Sequence, residues 1–177
     1  MKLLYYPNEW LEKEVKSVDL ENPGFDPKEL HKQMIDVMLS SKGIGLSANQ
    51  IGLDAKVFVM GDKPDNTNIC INPTVLEYTE DTVLDLEGCL SFPLLYFKVK
   101  RPVGLVTECL DSTGKECTIE LTGWNARIFG HEYDHLYGIN YIDRISKLRL
   151  DMAKKKQAKL YRNIKRQVKD TQLYGRA

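Results

Sequence analysis

The chain has 177 residues, 42% of them hydrophobic, which suits one domain of ordinary size with a sizeable core. Its 25 Lys and Arg balance its 25 Asp and Glu, so the protein is not basic or acidic throughout. No apolar run approaches the roughly 20 residues that span a bilayer, and Leu3 to Tyr6 falls short of the roughly 7–15 residues of a secretory core. We expect a soluble, unprocessed, cytoplasmic protein. Its cysteines, Cys70, Cys89, Cys109 and Cys117, form no C-x-x-C pair and are expected to be reduced thiols.

In chain order, "DPKELHKQMIDVMLSSKG" is predicted as a helix. Asp26 is placed to N-cap it, Pro27 fits its first position, Glu29 completes a capping-box pattern, and Gly43 follows its end. Leu30, Met34, Ile35 and Met38 fall on one face. The segment "KGIGLSANQIGLD" is predicted as a polar, glycine-rich loop. Short β-like runs follow: "AKVFVM", "NICINP", "TVLDLE", "YFKVKRP", "VGLVTECL" and "ECTIELTG", with "DSTGKE" as the hairpin turn between the last two. A second helix is predicted over "TGWNARIFGHEYDHLYG", capped by Thr122 and stopped at Gly138. A third is predicted from about Leu148 to Lys169, with Leu148, Met152, Leu160 and Ile164 able to pack on the body. This order gives an α+β fold of mostly antiparallel β-sheets packed around a central helix, with a basic C-terminal helix. Residues 147–177 hold eleven Lys and Arg against two Asp and Glu, so the rest of the chain is acidic. Such segregation points to a tail that meets a polyanion, or more plainly to a solvated helix face.

The motif that carries chemistry is "GHEYDHLYG". Helical positions i and i+4 differ by about 40° in azimuth, so His131 and His135 point the same way, one turn apart. Two imidazoles so placed can share a metal ion, and Glu132 stands beside them as a general base. The far ring nitrogen of one histidine needs a partner, either Asp134 or a backbone carbonyl. A third ligand is still required. No histidine follows His135, and the later acids are Asp143, Asp151 and Asp170. The better choice is upstream, at Cys89 in "EGCLS", after a β-like run and a glycine. The plain alternative for Cys89 is a buried core cysteine. A third stretch, "GIGLSANQ", has two glycines that let backbone approach a ligand and, in Gln50, an amide donor.

These three motifs, in this order, resemble those of the peptide deformylases. The resemblance covers roughly residues 5–146, including "YPNEWLEKEV" and "INP". It implies a catalytic body over 1–147 and a basic helical extension over 148–177. It implies Cys89, His131 and His135 as metal ligands, with Fe²⁺ usual and Zn²⁺, Ni²⁺ or Co²⁺ able to substitute. Glu132 becomes the proton carrier, while the Gln50 amide and the Leu90 N–H receive the oxyanion. Gly45 pairs its carbonyl with substrate, and Ile44, Ile128 and Phe129 line the methionine slot or simply pack the core. The substrates implied are N-formylmethionyl nascent peptides. The implied partner of the tail is the ribosome, and the implied state is a monomer. The chain departs from the usual pattern in having Ser47 for alanine, Gly130 for glutamine, and the apolar "FPLLYF" with Tyr96 near a frequent arginine.

Overall fold

A computed structural model describes the backbone of residues 1–174 and the side chains of residues 1–166. Helix α1 runs Pro27–Ser40, and Asp26 caps it by accepting from the N–H groups of Lys28 and Glu29. Glu29 accepts instead from the Gln33 amide one turn on. Seven strands follow: β1 Gly45–Ser47, β2 Val57–Lys63, β3 Asn66–Tyr78, β4 Thr82–Gly88, β5 Tyr96–Pro102, β6 Gly104–Leu110 and β7 Glu116–Thr122. Helix α2 spans Gly123–Leu136 and α3 spans Lys147–Tyr174. Strands β1-β2-β3-β6-β7, in that order, make a five-stranded sheet, and β4 pairs with β5 in a separate ribbon. Every pairing is antiparallel. The α+β architecture is as the sequence implied.

Strand β2 explains why "AKVFVM" shows no polar alternation. Successive side chains of a strand point to opposite faces. Val57 and Val59 pack with Leu30, Met34 and Met38 of α1. Phe58 and Met60 pack on the other side with Ala126, Phe129 and Leu136 of α2. Both faces are covered, so both must be apolar. Helix α2 is buried along most of its length and touches β1, β2, β6 and β7 as well as β5. It is the central element between the large sheet and the ribbon.

Three expectations need correcting. The stretch from Gly43 is not all loop: Gly45–Ser47 pairs with Phe58–Met60, and a 3-10 turn, Ala48–Ile51, follows. Strand β3 continues well past "NICINP" to Tyr78. In α3 the side chains expected to pack on the body are exposed, with Leu148 at 71% and Met152 at 64%, and Leu160 and Ile164 also outward. The inner face is Leu150 and Ala153, which meet a third core cluster of Leu11, Phe92, Leu95, Phe97, Val99 and Tyr141. Further along, Gln157 donates to the Pro93 carbonyl at 2.6 Å and Lys154 reaches the Tyr6 hydroxyl at 3.3 Å. Residues 175–177 of the expected extension lie outside the described residues.

Candidate metal centre and active site

Strand β4 ends at Gly88, and the chain turns there to present Cys89 toward α2. A side chain at residue 88 would meet the Tyr96 ring at about 2.6 Å, so glycine here lets that ring lie across the strand end. From α2, His131 and His135 project toward the same point. Ligand atoms of Cys89, His131 and His135 all lie within 4.8 Å of one another, and Cys89 Sγ is 3.3 Å from His135 Nε2.

His131 Nδ1 meets Glu87 Oε2 at 3.0 Å, which leaves Nε2 to face Cys89. The partner of the far nitrogen is therefore Glu87, neither Asp134 nor a backbone carbonyl. Asp134 is taken by Arg101 Nη1 at 2.8 Å and by Arg144. Glu87 also accepts from Arg101 Nε at 2.6 Å and from Arg127 Nη1 at 2.6 Å. Burial opposes its charge, but the hydrogen bonds from His131 and Arg101 hold its pKa down to about 2. Burial likewise works against charge on His131, yet the bonds to Cys89 and Glu87 push its pKa up to about 10. Burial keeps His135 well below the usual imidazole range, and the charge of His131 adds to this. His135 thus has a lone pair to give, whereas the proton that Cys89 and Glu87 hold on His131 must leave before that ring can ligate. A thiol and two imidazoles gathered this closely, with a carboxylate behind one ring, fit a divalent transition metal ion.

The second set of groups surrounds Glu132. This carboxylate is buried, and burial pushes its pKa up, opposed by the charge of His131 and the Ser47 hydroxyl. Ser47 donates to Glu132 Oε2 at 2.7 Å. The Ser47 N–H donates to Gln50 Oε1 at 2.8 Å, which fixes the Gln50 amide so that Nε2 points at Ser91 Oγ, 3.0 Å, and Cys89 Sγ, 3.3 Å. Gly45 lies against Glu132 so closely that any Cβ there would overlap the carboxylate. That contact explains the second glycine of "GIG".

A cavity of about 750 Å³ opens onto both sets. Ile44, Gly45, Gln50, Cys89, Leu90, Ile128, His131 and Glu132 all line it. Phe129 does not. It is fully buried in the core, edge-on to Phe58 with ring centroids 5.0 Å apart. It belongs to the packing of α2, so the methionine-slot expectation is dropped for this residue. Sequence reasoning did not assign Glu87, Arg101 or Arg127. The signal for Arg101 was present: it shares the inward face of β5 with Phe97 and Val99. The cavity mouth also carries Leu86, Leu94, Tyr96 and Trp124, all more than one-third exposed.

A closed α+β body with a Cys-His-His set beside a buried glutamate defines a metal-dependent hydrolase. The family model described as polypeptide deformylase matches residues 1–151, and the chain belongs to that family. It is a hydrolase that removes the formyl group from the N-terminal methionine of new polypeptides. The chain is 38% identical over 151 residues to the peptide deformylase of Wolbachia sp. subsp. Brugia malayi, covering 78% of this chain and 84% of that one. It is also similar to the crystal structure of a peptide deformylase from Legionella pneumophila, with a TM-score of 0.84, 32% identity and coverage of 93% and 97%. A probable peptide deformylase from Synechococcus phage S-SSM7 gives 0.74, 32%, 82% and 99%.

Proposed function

We propose that Cys89, His131 and His135 hold the ion, Fe²⁺ in the native protein with Zn²⁺, Ni²⁺ or Co²⁺ able to replace it, and that Glu132 is the proton carrier. The observation that carries this reading is the placement of Glu132. It lines the cavity next to the Cys-His-His set, buried and with its pKa raised, without being one of that set. A carboxyl so placed, with burial favouring its protonated form, is suited to take and return a proton. When bound, the ion supplies the Lewis acidity that makes water nucleophilic near neutral pH.

The remaining work falls to the chain. Glu132 takes a proton as water attacks the formyl carbon. Gln50 Nε2 and the Leu90 N–H donate to the formyl oxygen as its negative charge grows. The carbon–nitrogen bond then breaks, and Glu132 returns the proton to the departing amine. Formate and a free methionyl terminus leave, and Glu132 is restored. Ile44 and Ile128 flank the methionine side chain, and the Gly45 carbonyl pairs with the peptide. Residues 1–147 carry this chemistry, while 148–177 form a basic extension that meets ribosomal RNA. The protein works as a cytoplasmic monomer. Formate release from a formyl-Met peptide, measured anaerobically with iron-, nickel- and zinc-loaded protein, tests the reading. Iron-loaded protein should be active. Cleavage of internal bonds without formate would overturn it.

A further inference from the structure

Ser47 ends β1 and is fully buried. Its Oγ stands 2.7 Å from Glu132 Oε2 and 3.0 Å from the Glu132 carbonyl oxygen. A hydroxyl has one hydrogen, so it donates to one of these at a time, and the shorter contact is to the carboxylate. The other carboxylate oxygen, Oε1, lies against Gly45, where no side chain intervenes. Both Gly45 and Glu132 face the cavity.

We propose that Ser47 is a positioning residue for the reaction: it pins Oε2 of Glu132 so that Oε1 alone exchanges the proton with water and the leaving amine. This rests on the reading of Glu132 as proton carrier. The geometry serves both halves of the cycle. When Glu132 is ionised, Oε2 accepts a charge-assisted bond from Ser47. When Oε1 carries the proton, Oε2 remains an acceptor and the same bond persists. The carboxyl plane therefore stays fixed while the charge on it changes. Proton transfer depends steeply on such alignment. In the capping box of the 3-10 turn the Ser47 hydroxyl faces the Gln50 backbone N–H, but the Gln50 side-chain amide is held by the Ser47 backbone N–H. Ser47→Ala removes one hydroxyl and leaves that bond in place.

The test is a double-mutant cycle in metal-loaded protein, using Ser47→Ala, Glu132→Gln and the pair. Ser47→Ala should lower kcat about tenfold, the order of one charge-assisted hydrogen bond, with KM and metal content unchanged. In the Glu132→Gln background the same change should cost nothing further, because the group it positions is gone. Unchanged kcat in Ser47→Ala would overturn the proposal. So would an equal loss in both backgrounds, which would mean that Ser47 only packs the core. Those outcomes leave the role of Glu132 standing. Full activity in Glu132→Gln would instead overturn that role, and this proposal with it.

Discussion

Glu87 has two carboxylate oxygens and satisfies Arg101, Arg127 and His131 with them, all buried. Removing one member of such a cluster leaves uncompensated charge in the interior, which typically costs about 3–5 kcal/mol. Glu87→Gln should therefore destabilise the fold by that order in urea unfolding. It should also weaken metal binding about 10–100-fold in chelator competition, because His131 loses its orienting carboxylate. The pH dependence has a definite sign. The folded pKa, about 2, lies below the ordinary 4.5, so this stabilisation is complete above pH 4.5 and is lost as pH falls toward 2. The urea midpoint of Glu87→Gln should fall less steeply than wild type across that window. At Cys89 a hard oxygen would replace a soft thiolate in Cys89→Ser. Metal content after dialysis should drop, or the preference among iron, nickel and zinc should change. The pairing of His131 and His135 was legible because residue spacing on one helix fixes direction, while Cys89, off that helix, was reached only through "EGCLS". The cluster behind these ligands was not legible, since a charged residue in a strand ordinarily points to water. Only the inward register of Phe97, Val99 and Arg101 betrayed it.

Among the elements, α2 was legible in its span, although Thr122 stands at the N-cap position without a side-chain hydrogen bond to the helix. Its stop at Gly138 has a backbone reason, φ of +71°, which favours glycine. Strand β1 was invisible because it has three residues and no room for a period. It exists because β2 offers its free edge, and it matters because it carries Gly45 and Ser47 to Glu132. Gly130 departs from good helix composition in the middle of α2. A Cβ there would stand about 3.4 Å from Arg101 Nη1, an ordinary contact, and the Gly130 carbonyl would still accept from that atom, as it does now at 3.0 Å. Gly130→Ala should then gain helix propensity with little steric cost, raising stability by up to about 1 kcal/mol. Differential scanning calorimetry checks this. A lowered melting temperature would show that Arg101 tolerates no neighbour at that position.

The whole molecule is electrically divided, with an acidic body and a basic last helix. The structure adds that the start of α3 is part of the body's packing, through Leu150, Ala153 and the Gln157 bond to Pro93, two residues past Ser91. Composition could not separate these inner residues from the exposed Leu148 and Met152, because both sets have helical spacing. Cutting the chain at 147 would therefore disturb the segment that carries Cys89 and Leu90 as well as remove charge. Surface charges make the cleaner experiment. Lys155, Lys156, Lys159 and Arg162 are all exposed. Replacing these four with Gln should leave hydrolysis of a short formyl-Met peptide intact, since none of them lines the catalytic cavity. Ribosome co-sedimentation should weaken. Every phosphate that a basic side chain no longer neutralises takes about 0.7–0.9 from the slope of log affinity against log salt, so the four together should flatten that slope by about 3. Equal pelleting of variant and wild type at low salt would mean that the basic face of α3 is only solvated and that the body, or nothing, meets the ribosome.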